Sequence, residues 1–232
     1  MSPPPPEDLY SQLTPSVRGL AERGVVRRYP KKAVLINEGE AGDSLFVLLR
    51  GSVKVFAMDE NGREITYGKV VAGDYFGEMS LDGGVRSASV ITVDASICAV
   101  VSRQSVTEHL VAEPAFAMDL VSHVIARARA ATEAAKSMAL LDVYSRLVGV
   151  LEEGLSTAQQ AQPKAESRQG FYLAPLLTEP VTLEPITHQD IASRIGASRE
   201  MISRILKDLE RGGYIDMSPK RIVLLKKLPA RW

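Results

Sequence analysis

The amino-acid sequence predicts an α+β protein: a small antiparallel β-barrel of jelly-roll type, a long helix, and a C-terminal winged helix-turn-helix. Three observations carry this. Residues 23–104 are short β-branched or aromatic runs cut by glycines at 39, 42, 51, 62, 68, 73, 77, 83 and 84, where turns would fall. From Pro114 no glycine occurs until Gly149, and alanine dominates. Past residue 185, two apolar-periodic stretches meet at Gly196. The predicted parts are residues 1–20 (leader and short helix), 21–112 (barrel), 113–144 (helix and hinge) and 145–232 (winged helix-turn-helix).

Residues 1–8 contain four consecutive prolines, which supply no backbone N–H, and are expected to form a disordered leader. Strands are expected at 33–36, 45–49, 53–56, 88–93 and 97–101, and Asn61-Gly62 signals a two-residue hairpin. In the long helix, Ala117, Val121, Val124, Ala128, Ala131, Ala135 and Met138 alternate spacings of four and three. Asp119, Arg127, Arg129, Glu133 and Lys136 lie off this heptad seam. A helix lying on its own barrel is one explanation; so long and alanine-rich a seam fits two helices in close approach better. Residues 159–163 read as an exposed loop, 171–181 as a short hairpin, and 214–225 as two strands around Ser218-Pro219-Lys220.

Composition narrows the function classes. No apolar run reaches the roughly 18–20 residues of a membrane helix. The first twenty residues lack the basic-then-apolar pattern of an export signal. Cys98 is the single cysteine, which excludes an internal disulfide framework or a four-cysteine cluster and suits a reducing cytoplasm. Net charge is zero but uneven. Residues 187–232 hold ten Lys/Arg against five Asp/Glu, leaving 18 against 23 elsewhere, so a basic C-terminal module sits on an acidic body.

That module has the chemistry of a major-groove reader. Thr187 and Asp190 form a capping-box start, Gly196 ends the first helix and Ser198 caps the second. Ile202, Ile205, Leu206 and Leu209 make one buried stripe. Rotation then puts Glu200, Ser203, Arg204, Lys207 and Arg211 on the opposite face, with Arg199 in the first turn. Arginine matches the paired acceptors of guanine, and glutamate accepts from the cytosine amino group. A solvated helix with a Glu200–Arg204 ion pair is the plainer reading. Capped helix, glycine turn, capped helix and basic wing in that order favour DNA. Residues 187–207, THQDIASRIGASREMISRILK, closely resemble the helix-turn-helix of the cyclic-AMP receptor (Crp-Fnr) family. The resemblance implies Arg199, Glu200 and Arg204 as base readers, with Thr187, Gln189 and Ser198 at phosphates. It also implies TGTGA-like half-sites, a homodimer, double-stranded DNA and RNA polymerase as partners, and no membrane.

Upstream, Gly77 is expected to open a short helix with free N–H groups, Glu78 to accept from a sugar hydroxyl, and Arg86 with Ser87 to meet a phosphate. A simple Glu78–Arg86 surface pair is the alternative. Residues 76–90, FGEMSLDGGVRSASV, resemble the phosphate cassette of cyclic-nucleotide-binding domains, with a loop one residue shorter than is common there. The resemblance implies a cyclic-nucleotide effector held by Gly77, Glu78, Met79, Arg86, Ser87, Arg127 and Thr132. Aligned on MALLDV (138–143), Ala131 stands where the family has an adenine-contacting threonine, and Thr132 where it uses a serine of the partner subunit. Cyclic AMP is the expected ligand and cyclic di-GMP the alternative.

No enzyme motif accompanies His109, His123 or His188, and no serine-hydrolase elbow, phosphate-binding loop or zinc motif is present. A nucleotide-binding regulatory subunit of an enzyme is the competing class, but it has no need of a helix-turn-helix.

Overall fold

The computed structural model describes residues 7–160, 180–218 and 221–229. The chain divides into two compact units, residues 1–130 and 131–232.

Unit one begins with a 3-10 turn, Glu7–Tyr10, and helix α1, Pro15–Ala21. Residues 1–6 of the expected leader lie outside the described residues, while 7 and 8 join that turn. Eight strands follow: β1 Val25–Tyr29, β2 Val34–Ile36, β3 Ser44–Arg50, β4 Ser52–Met58, β5 Glu64–Val71, β6 Tyr75–Phe76, β7 Ser89–Thr92 and β8 Ser96–Ser102. They pair antiparallel as two four-stranded sheets, β1-β8-β3-β6 and β2-β7-β4-β5, the jelly-roll arrangement.

Strand β3 shows why an apolar run becomes a strand here. Leu45, Val47 and Leu49 point to a core shared with Leu20, Val106 and Phe116. Phe46 and Leu48 point to the second core, with Val53, Val55, Phe76 and Val90. Both faces are buried, so polar alternation is lost. Each fully buried leucine adds about 1.5–3 kcal/mol. The β4–β5 hairpin forms, but its loop has five residues rather than two. Asp59 Oδ1 accepts from the N–H groups of Asn61 and Arg63, and Gly62 takes φ 75°. An acidic side chain therefore closes the turn that Asn-Gly was expected to close alone.

Helix α2, Arg103–Ala112, leads to α3, Pro114–Leu140, which runs through the division between the units. At about 100° per residue, Phe116, Asp119, Leu120, His123 and Arg127 share one side of α3. Phe116 is fully buried in the barrel's outer core and Leu120 packs on it. The heptad seam lies about 90° away and is exposed in the single chain: Val121 49%, Val124 45% and Met138 42%. The helix thus lies on its own barrel by one side and presents an apolar seam by another.

Unit two contains α4, Val143–Gln160, whose first turn is closed by Asp142 Oδ1 accepting from Ser145 N–H at 2.7 Å. Gln159 and Gln160, expected in a loop, end this helix instead; residues 161–163 and 171–179 lie outside the described residues. Helices α5, His188–Ile195, and α6, Arg199–Arg211, pack on α4 through Leu147, Leu151, Ile191, Ile202 and Leu206. The wing is β10, Ile215–Ser218, and β11, Arg221–Leu224, and β11 also pairs with β9, Val181–Thr182. Of the hairpin expected at 171–181, only Val181 belongs to a described strand, this third strand of the wing.

Candidate functional site

Between β6 and β7 the chain wraps around two buried charged side chains. Gly77 has φ 87°, a left-handed conformation that suits glycine, and starts the one-turn 3-10 helix Glu78–Ser80. A Cβ there would stand 2.8 Å from Arg86 Nη1, and one on Gly42 would overlap Ser80 Oγ and stand 2.8 Å from Arg86 Nε. Both glycines let backbone close on the guanidinium. Arg86 is 8% exposed and its fork is occupied: Nη1 donates to Gly77 O and Ser80 Oγ, both at 2.9 Å. Nη2 donates to Ser44 O at 2.8 Å and Ser44 Oγ at 3.2 Å. Burial lowers the Arg86 pKa from its ordinary value.

Glu78 is 5% exposed, yet neither carboxylate oxygen accepts a hydrogen bond. Its counter-charge is Arg127, whose Nη1 lies 3.3 Å from Oε1. The alternative weighed from the sequence, a Glu78–Arg86 surface pair, does not form; each has found a different partner. A buried carboxylate with lone pairs unmet is a site for donors. Met79 and Ser87 are exposed at the rim, Ser87 Oγ 3.5 Å from Met79 Sδ. Thr132 is exposed on α3 past the division between the units, about 140° around the helix from Arg127.

Several groups here escaped the sequence reading. Ser44, Ser80 and Gly42 enclose Arg86 from separate segments, with no motif to announce them. Behind Arg127, its Nε donates to His123 Nε2 at 3.1 Å, and His123 Nδ1 lies 3.5 Å from Asp74 Oδ1. The imidazole stacks on Tyr75 at 4.5 Å, and the Tyr75 hydroxyl donates to Asp119 Oδ2 at 3.0 Å. Burial, then that carboxylate, push the Tyr75 phenol far up. The i, i+4 spacing of Asp119, His123 and Arg127 was the available signal.

In unit two the predicted caps all form. Thr187 and Asp190 make a full capping box, the threonine hydroxyl donating to Asp190 Oδ2 at 2.6 Å. Gly196 is left-handed at φ 64°, and Ser198 Oγ accepts from Met201 N–H at 3.2 Å. The hydroxyls expected at phosphates thus also serve as helix caps, each worth about 1 kcal/mol. Gln189 is exposed. Ile202, Ile205, Leu206 and Leu209 are buried. Arg199, Glu200, Lys207 and Arg211 are exposed on the other side, with Arg204 among them. Ser203, midway along this face, hydrogen-bonds His188 Nδ1 at 2.9 Å. The His188 pKa is lowered, first by burial and then by Arg199 and Lys207.

Comparisons with known proteins cover the two segments that carry these residues. Residues 26–112 match the cyclic nucleotide-binding domain, and residues 168–229 match the Crp-like helix-turn-helix domain. The cAMP-activated global transcriptional regulator CRP of Salmonella typhimurium is 32% identical over 216 residues, 92% of this chain and 95% of that protein. The chain belongs to the CRP/FNR family of transcription regulators. The cAMP-activated global transcriptional regulator Vfr of Pseudomonas aeruginosa is 31% identical, over 85% of this chain and 88% of that one. The fold matches the c-di-GMP responsive regulator CLP of Xanthomonas campestris, with TM-score 0.74 and 24% identity over 91% of this chain and 99% of that one. It also matches a CRP/FNR family regulator of Thermus thermophilus, with TM-score 0.63 and 24% identity over 87% and 94% of the two chains. As a CRP/FNR member this chain is a DNA-binding transcription regulator with a cyclic-nucleotide domain, and not an enzyme. Among the described residues no helix is long and apolar enough to cross a membrane.

Proposed function

We propose that this regulator is a homodimer switched by cyclic AMP, which it binds between the Gly77–Ser87 wrap and α3, and that it reads palindromic TGTGA-like half-sites. The observation that carries the ligand is Glu78: a buried carboxylate beside one arginine, with two oxygens free to accept from the hydroxyl of a ribose. Arg86 and Ser87 take the cyclic phosphate, Gly77 and Met79 line its approach, and Arg127 holds Glu78. Binding to the phosphate requires Arg86 to trade donors now given to Ser44 and Ser80. The names of the CRP and Vfr relatives support cyclic AMP over other nucleotides. Ala131 supports the second reading, cyclic di-GMP, because an alanine offers no hydroxyl to an adenine.

The exposed seam of α3 supports the homodimer, and Thr132 beside it would face the nucleotide of the partner subunit. Arg199 and Arg204 each take a guanine, Glu200 takes a cytosine amino group, and Thr187, Gln189 and Ser198 meet phosphates. RNA polymerase is the protein partner, and the cytoplasm the location. Cys98 supports a reducing compartment: it is buried, and burial pushes its thiol up to about 12. Calorimetry of the full chain with cyclic AMP, cyclic GMP and cyclic di-GMP tests the ligand. Saturable binding of cyclic AMP, weakened in Glu78→Gln, is the expected result. Binding of cyclic di-GMP alone selects the second reading.

A further inference from the structure

Arg127 and Glu78 do not stand alone. Four side chains form a line from the surface to the pocket: Asp74, His123, Arg127 and Glu78, with separations of 3.5, 3.1 and 3.3 Å. The middle contact sets a protonation state. A guanidinium has donors and no acceptor, so the ring nitrogen that receives Arg127 Nε–H must be bare. Its proton then sits on Nδ1, the nitrogen 3.5 Å from Asp74 Oδ1. The ring itself is held flat on Tyr75, and Tyr75 is held by Asp119.

We propose that His123 is a positioning residue of the pocket: its neutral Nδ1–H form holds Arg127 on Glu78, and its protonation releases Arg127 and weakens nucleotide binding. An imidazolium has no lone pair for Arg127 and repels it. The charged groups against the ring are Asp74 from the turn before β6 and Arg127 from α3 itself; the titratable Tyr75 of β6 lies on its face, and Asp119 of α3 is engaged by the Tyr75 hydroxyl. The Asp74 carboxylate holds an imidazolium in place once it forms, so the charge need not leave the cluster, and Arg127 is the group that moves. Glu78 then loses the cation that orients it.

This inference rests on the nucleotide reading above, and its test separates the two. Nitrogen-15 NMR of the ligand-free chain at about pH 8 reads the histidine tautomers directly. A bare Nε2 and a protonated Nδ1 at His123 are expected; the opposite tautomer overturns the proposal without any ligand. Calorimetry with cyclic AMP at about pH 8 and about pH 5.5 then reads the coupling. Wild type is expected to bind about tenfold more weakly at the lower pH. His123→Gln, whose amide oxygen accepts but does not titrate, is expected to bind like wild type at the higher pH and to lose most of the pH dependence. His123→Phe keeps a ring on Tyr75, and is expected to bind weakly at both. Melting curves identify a variant that fails to fold, and His123→Gln and the NMR then still decide. A wild-type affinity that does not change with pH, or a His123→Gln profile matching wild type, overturns the role of His123 while leaving the pocket intact. If wild type binds none of the three cyclic nucleotides, the ligand reading fails and the coupling with it.

Discussion

The proposed recognition face and the proposed nucleotide pocket are built in opposite ways. Arg199, Glu200, Arg204 and Lys207 stand on one thirteen-residue helix, with their positions set by helical rotation and a buried stripe beneath. The pocket draws Gly42, Ser44, Gly77, Glu78, Arg86 and Arg127 from separate strands, turns and a helix, and buries its charges. A change on α6 should therefore alter one contact and little else. A change in the pocket should alter binding and folding together, because Arg86, proposed to meet the phosphate, is also a structural hydrogen-bond donor.

The largest expected effect is on α3, which resembles α6 in carrying a functional face on a single element. Val124→Glu with Ala128→Glu places charge on the apolar seam. The dimer is expected to weaken by at least about a thousandfold, about 4 kcal/mol. Light scattering should then show monomers, and gel shift no operator binding. A monomeric wild type at micromolar concentration would remove the proposed seam altogether.

Next is Arg86→Ala, which strikes the pocket where its two roles coincide. Cyclic-nucleotide affinity is expected to fall by about 2–4 kcal/mol. Because Arg86 also satisfies Gly77 O, Ser44 O and Ser80 Oγ, stability should drop by about 1–3 kcal/mol as well. Calorimetry and denaturant unfolding on the same variant separate the two. Normal stability with lost affinity would mean that the pocket is as modular as the helix.

Arg204→Ala makes the opposite case. It is expected to cost about 1–3 kcal/mol at its own base pair and nothing in melting temperature. Lys207→Ala should weaken all sequences alike and reduce the slope of affinity against salt. Binding-site selection with each variant distinguishes reader from phosphate contact, and a changed preference at several positions would show that the helix had shifted.

The smallest effect concerns His188, where the proposed reader face of α6 is tied to α5 through Ser203. Its pKa is lowered in the folded chain, so the unfolded chain takes up a proton more readily. The stabilisation is therefore full above the ordinary value of 6.5 and is lost as pH falls below it. For a half-buried group the loss should stay below about 1 kcal/mol. Melting curves across this window should show it in wild type and not in His188→Asn.

What each region disclosed in the sequence follows from the same contrast. The caps at Thr187 and Ser198, the glycine at 196 and the stripe from Ile202 to Leu209 involve partners three or four residues apart, so their pattern is written in linear order. The α3 seam was legible for the same reason. The Asn61-Gly62 turn was legible in place but not in length, because Asp59 closes it from outside the dipeptide. Gln159 and Gln160 read as loop by composition, yet α4, anchored in the core by Tyr144, Leu147 and Leu151, includes them.

By itself the sequence determined the order of modules, the jelly-roll texture, the exposed charged face of α6 and the presence of two charges, Glu78 and Arg86, in the 76–90 segment. Only the tertiary structure decided how those two charges are met. Arg86 turned to Ser44 and Ser80, Glu78 turned to Arg127, and His123 with Asp74 came in behind. The reason is physical. A helix imposes its contacts through a fixed rotation per residue, whereas a buried charge takes whatever donors and acceptors the folded chain brings near, and sequence separation does not encode which those will be.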